Sequence, residues 1–335
     1  MKRRELLSAA VAAGVSRKLH AAAPTALPAT MKVTAQALAN SPWDRHWDEF
    51  KGAIAQRPDI APEYYLRGET GNEEQMLTAL RRNRVQIGGI TMWGLAGIIP
   101  EAAVPMMPYL FESAAEVDFV FDTALAPWFD ARLQEKGLKF LLWSEVGWNV
   151  LYTRRPVLTP EDIRHMKIRG SPNFAAQAFL RAVGANPVAL GIADIAPALQ
   201  TGLADGGLSS LTFFYYSFRA FASDVTELNQ SYDQGVQVAN LDWWNGLDAG
   251  QRAAVAGAFV PIGRARAELR AHAETLKREL IAAGTRIHTL SPAQRAAWVA
   301  AAAATHTAIL AEIGGRAREL YGLIGAAQRA FVKKA

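Results

Sequence analysis

Met166-Lys167-Ile168-Arg169-Gly170, followed by Val183-Gly184-Ala185-Asn186-Pro187 and then by Ala198-Leu199-Gln200-Thr201-Gly202-Leu203-Ala204-Asp205-Gly206, decides the fold class. The segment opens behind Thr159-Pro160-Glu161-Asp162, a helix-start signal whose acids complement a helix dipole. Residues 167–169 read as a strand and 173–183 as a helix. A second strand follows at 186–189, then a helix at 193–201 and a strand near 203–205. Strands separated by helices cannot close as hairpins and need crossovers, so the unit is βαβ around a mainly parallel sheet.

The same alternation extends outward on both sides. Upstream, strands at 31–37 and 58–66 flank a helix over 43–56, in which Trp43, Trp47, Phe50 and Ile54 recur at spacings of three and four. Asn40-Ser41-Pro42 supplies its cap and first turn. A helix over 73–82, a strand at 85–90, a loop through Gly94 and Gly97, a long helix over 113–136 ended by Gly137, and a strand at 138–143 complete the first half. Downstream, an Ala/Arg/Glu-rich helical stretch over 247–283 is broken once, at Pro261. A short strand at 286–290 precedes a last Ala-rich helix opened by Ser291-Pro292; its uncharged run between Arg295 and Glu312 is a packing helix, not a membrane span. The class is therefore α/β, long enough for two domains.

The 335 residues are half hydrophobic and one-fifth charged, which excludes a disordered polymer. With no cysteine there is no disulfide scaffold, thiolate metal site or cysteine nucleophile. The formal charge of +5 invites a polyanion or membrane surface as partner until the charges are located. Residues 1–23 hold Lys2, Arg3, Arg4, Arg17 and Lys18 against Glu5, a net +4, leaving +1 on the rest. A basic start, an apolar run from Leu6 to Val15 and small residues at Ala21 to Ala23 read as a cleavable export signal, with Arg3-Arg4 resembling a twin-arginine motif.

Motifs for chemistry are absent from the sequence: no phosphate-cradling loop, dinucleotide-type glycine triplet or nucleophile elbow. The six histidines, at 20, 46, 165, 272, 288 and 306, never fall at metal-ligand spacing. Neither a catalytic residue, a metal nor a cofactor is expected.

At 159–210 the sequence resembles the DctP-type solute-binding proteins of TRAP transporters. Pro108-Tyr109-Leu110-Phe111, Gly137-Leu138 and Trp243-Trp244-Asn245-Gly246-Leu247 before Gln251-Arg252 match in order and spacing. The resemblance implies a periplasmic binding protein-like fold: two α/β domains with a ligand cleft between them, joined by crossing strands and a long hinge-spanning helix. It places the first domain at 24–147 plus about 235–275, and the second at about 148–234 plus 276–335. It implies capture of a small organic acid in the periplasm and delivery to TRAP permease membrane subunits, with no nucleic-acid partner and no membrane-spanning segment in the mature chain.

In that family the arginine of the Lys-Ile-Arg strand pairs with the ligand carboxylate, a role that falls here on Arg169. A guanidinium can meet a carboxylate with two parallel hydrogen bonds, which lysine cannot reproduce. Without the resemblance, an ion pair with a local acid is the ordinary reading of this residue. Where many relatives carry a second arginine this chain has Asn149, after Trp148; where they carry Glu-Asn it has Leu208 and Ser209; Thr91 and Trp93 occupy a loop that can hold an acidic ligand contact. The expected binding set is Arg169, Asn149, Trp148, Ser209, Thr91, Trp93, Gln36 and Phe213, which favours a monocarboxylate on a moderately apolar body. A C4-dicarboxylate binder of the same family, an unfamiliar periplasmic enzyme and a sensory binding protein are the alternatives.

Overall fold

The computed structural model describes residues 29–191 and 194–334; the expected export signal at 1–23 lies outside them. In chain order the elements are β1 (Ala29–Thr34), α1 (Pro42–Ile54), β2 (Ile60–Tyr65), α2 (Glu73–Arg81), β3 (Ile87–Thr91), α3 (Met92–Leu95), a 3-10 segment (Pro100–Met106), α4 (Ala114–Val120), a π-turn (Phe121–Leu125), α5 (Ala126–Gln134) and β4 (Leu138–Thr153). The second half continues with β5 (Lys167–Gly170), α6 (Phe174–Ala182), β6 (Asn186–Ala189), α7 (Ile195–Thr201), β7 (Gly206–Ser210), α8 (Leu211–Phe213), β8 (Asp224–Glu227) and β9 (Tyr232–Asn240). It ends with α9 (Leu241–Gly246), α10 (Ala249–Ala258), α11 (Ile262–Ala282), β10 (Arg286–Thr289), α12 (Pro292–Ala302), α13 (Thr305–Ile313) and α14 (Ala317–Lys334).

The strands run in the order β2-β1-β3-β9-β4-β7-β5-β6, with β8 on β4 and β10 on β8. Parallel pairing holds within β2-β1-β3 and within β7-β5-β6. The sheet is mixed, because β9 runs antiparallel to β3 and β4, and β4 antiparallel to β7 and β8. These two strands form the crossing. Sixteen-residue β4 pairs with β9 along its first two-thirds, with β7 along its last five residues and with β8 along its last three, so one strand serves both lobes. It bends between Glu145 and Gly147, where the register shifts, and Gly147 takes φ +103°, a conformation that side chains with a Cβ rarely adopt. Each lobe has a core on both faces of its sheet: around Phe121, Trp143 and Phe129, and around Phe50 and Val255, in the first; around Phe179 and Trp298, and around Tyr152 and Phe214, in the second.

Several expected elements change. The helix expected over 113–136 is interrupted by the π-turn ahead of Pro127, whose ring removes a backbone donor. The strand expected near 203–205 is a turn, and β7 begins at Gly206. A Cβ on Gly206 would lie 2.3 Å from the Tyr152 carbonyl oxygen, so a sequence of weak strand formers pairs here because it lets two backbones approach. Pro261 separates α10 from α11 as expected, with Pro261 itself ahead of the first turn. The uncharged C-terminal run folds as two helices, α12 and α13, bent by 41°; among the described residues no single helix is long and apolar enough to cross a membrane. Trp298 of α12 packs in the core around Phe179, and α14 packs on α4 and the 3-10 segment.

Candidate ligand-binding site

A cavity of about 720 Å³ lies between the lobes. Arg169 enters it from β5. The residue is 6 % exposed, and its guanidinium is oriented by three carbonyl bonds: Nε and Nη2 donate to Leu190 O at 3.0 and 2.9 Å, and Nη1 donates to Leu208 O at 3.1 Å. Five N–H groups less three leaves one on each Nη, the arrangement that meets a carboxylate with two bonds. Among the described residues no carboxylate lies within ion-pair distance of Arg169, so the local ion pair that sequence left open is not formed. Burial holds its pKa below the usual value, opposed by the Tyr152 hydroxyl and the Asp233 carboxylate. Tyr152 lies behind it, its phenol buried without a hydrogen-bond partner and pushed up to about 12 by burial.

The hinge strands contribute Asn149 and Asp233. Asn149 Nδ2 donates to Ser231 Oγ at 2.7 Å, and Ser231 Oγ donates to Asp233 Oδ1 at 3.1 Å. Trp93 Nε1 reaches from the first lobe to donate to Asp233 Oδ2 at 3.2 Å. Burial raises the Asp233 carboxyl above its ordinary value, although Trp93, Asn149, Ser231 and the charge of Arg169 pull the other way. Thr91 ends β3 and caps α3; its N–H and Oγ1 donate to Glu73 Oε1 and Oε2 at 2.6 and 2.8 Å. Glu73 is half-buried, and the desolvation of its carboxyl raises its pKa against those two bonds. Gln36, just after β1, donates from Nε2 to Gly71 O at 3.1 Å.

The cavity brings together Gln36, Thr91, Trp93, Asn149, Arg169, Ser209 and Phe213 from the expected set. Phe213 also pairs with Trp43 of the first lobe at 5.2 Å between ring centroids. Trp148 departs from expectation and does not line the cavity. Its ring stands edge-on to Tyr232 at 4.7 Å, against the first-lobe core, because neighbours on a strand project to opposite faces and Asn149 takes the cavity side. Sequence reasoning missed Asp233 and Glu73. The available signal was an acid in the otherwise uncharged strand Tyr232–Asn240, and a helix-start glutamate has an ordinary explanation in the dipole. Among the described residues no group of three or more His, Asp or Glu could hold a metal ion.

The chain matches the profile of "Bacterial extracellular solute-binding protein, family 7" over residues 35–312. It is 26% identical over 230 residues to the C4-dicarboxylate-binding periplasmic protein DctP of Vibrio cholerae, covering 68% of this chain and 69% of the relative. By structure it is similar to the sugar acid binding protein of Advenella mimigardefordensis, solved with galactonate, with a TM-score of 0.83, 22% identity and coverage of 91% and 99%. It is equally similar to the periplasmic ectoine-binding protein of the TeaABC TRAP transporter of Halomonas elongata, with a TM-score of 0.83, 21% identity and coverage of 90% and 99%. With the family profile spanning both lobes and the cavity between them, the chain belongs to family 7 of the bacterial extracellular solute-binding proteins, the DctP family of periplasmic components of TRAP transporters.

Proposed function

We propose that this member of a family binding small organic acids captures a monocarboxylate, pairs its carboxylate with Arg169 as the lobes close, and delivers it to TRAP permease subunits. The supporting observation is a buried guanidinium with one free N–H on each Nη and no carboxylate partner among the described residues, oriented into an interlobe cavity. Asn149 and Ser209 on the wall are neutral. The other arginine there, Arg67, is paired with Asp44, so among the described lining residues Arg169 is the arginine without an acidic partner. Closing the cleft removes water from the pair, which strengthens the attraction while both charges lose hydration. Ligand binding then shifts the population toward the closed form.

A dicarboxylate is the second reading, favoured by the Vibrio cholerae relative. Calorimetry on wild type and Arg169→Ala, preceded by a thermal-shift panel of mono- and dicarboxylates, tests the proposal. Loss of the pairing should cost about 2–5 kcal/mol of binding energy, roughly 30-fold or more in affinity. Unchanged affinity in the variant, or stabilisation by succinate or malate and by no monocarboxylate, overturns it.

A further inference from the structure

The cavity is polarised between its lobes. On the second lobe it presents donors: the two remaining N–H groups of Arg169, and Asn173 Nδ2, buried without an acceptor while Asn173 Oδ1 caps α6. On the first lobe and hinge it presents acceptors. Glu73 and Asp233 each take two protein donors, from Thr91 and from Trp93 and Ser231, which leaves lone pairs open on carboxylates that can accept about four bonds. Gln230, 4 % exposed on the same wall, has Oε1 buried with no donor.

Charge divides less cleanly, because Arg67 lies on the first lobe and Asp194, an exposed acid, on the second. The described residues lining the cavity include two arginines, Arg67 and Arg169, and three acids, Glu73, Asp194 and Asp233. Arg67 is engaged by Asp44, and among the described residues neither Glu73 nor Asp233 has a cationic partner within ion-pair distance. A buried acid, Asp233, and a half-buried one, Glu73, neither directly paired with a cation, are costly to keep charged unless something cationic arrives.

We propose that the ligand is a zwitterion, whose carboxylate is held by Arg169 and Asn173 and whose cationic nitrogen, an ammonium or amidinium, is received by Glu73, Asp233 and Gln230. This rests on the proposed carboxylate pairing and adds the class of the distal group. A cation there offsets one of the two negative charges, can donate to both carboxylates, and gives Gln230 Oε1 its donor. A dicarboxylate would bring a second anion to the same two carboxylates, so the acids also select against it.

The test is titration calorimetry of the full chain with three six-carbon probes of one skeleton, 6-aminohexanoate, 6-hydroxyhexanoate and hexanedioate, together with ectoine and galactonate. Wild type should bind the tighter of 6-aminohexanoate and ectoine at least tenfold more tightly than any other probe. Glu73→Gln and Asp233→Asn should each cut the ratio of zwitterion to hydroxy-acid affinity at least tenfold. A hydroxy acid or dicarboxylate that equals or beats both zwitterions, or the absence of any zwitterion binding, overturns the inference whatever the variants do. Galactonate or 6-hydroxyhexanoate bound through Arg169, with no zwitterion bound, removes this inference and leaves the monocarboxylate reading standing. Binding of every probe unaffected by Arg169→Ala removes both.

Discussion

Arg270 of α11 grips Glu145 of β4 with two parallel bonds, Nε to Oε1 at 2.9 Å and Nη2 to Oε2 at 2.6 Å. Glu145 sits at the bend where β4 passes from one lobe to the other, and its side chain is 1 % exposed. Arg270 also holds Asp118 of α4 at 2.7 and 2.9 Å. The ion pairs therefore clamp the long helix to the bent strand.

Removing Arg270 leaves the Glu145 carboxylate buried with less compensation. Arg270→Ala should destabilise the protein by about 3–5 kcal/mol, the usual cost of orphaning a buried charge. Arg264, whose pairs with Glu49 and Glu268 are exposed, is the comparison. Arg264→Ala should cost far less, because water screens exposed pairs. Urea unfolding of both variants measures the contrast, and equal losses would mean that the clamp adds nothing.

Gly206→Ala places a Cβ against the Tyr152 carbonyl and should destabilise by about 1–3 kcal/mol through overpacking. Gly322, inside α14, has nothing within 4 Å of a built Cβ. Gly322→Ala should therefore stabilise by about 0.5–1 kcal/mol from helix propensity alone. Opposite signs in thermal melts are the expected outcome.

Trp298 is fully buried between α12 and the second-lobe core, with its ring 6.4 Å from that of Phe179 and Nε1 donating to Leu158 O at 2.9 Å. Trp298→Ala should cost about 3–5 kcal/mol by opening a large cavity. Denaturant titration checks it.

Two aspartates should give stability opposite dependences on pH. For Asp224, burial raises the pKa, but bonds from Arg286, His288 and Ser223 outweigh it and the net shift is downward. Its stabilisation is present above the unfolded value of about 3.9 and is lost as pH falls through the folded value. Burial raises Asp233, so the empty protein loses stability as pH climbs through that raised value. Melting curves across pH should show Asp224→Asn less stable than wild type above pH ~4. Asp233→Asn, without ligand, should be more stable than wild type at alkaline pH.

The alternation of strands and helices over 159–210 and the break at Pro261 were readable because each depends on side chains within a few residues. Local pattern also located Arg169 on a strand, β5, and put Trp148 and Asn149 on opposite faces of another, β4. Which of those two faces the cleft was settled by pairing between β4, β9 and β7, whose partners, such as Leu138 and Asn240, lie far apart in sequence. The same holds for Asp233 and Glu73: in sequence they are an acid in a strand and an acid at a helix start. They become parts of one wall only when β9 and α2 are brought beside β3. Periodicity reports a chain's local conformation and alternation of faces; the surroundings of a buried charge depend on distant segments, whose approach is set by packing and backbone pairing.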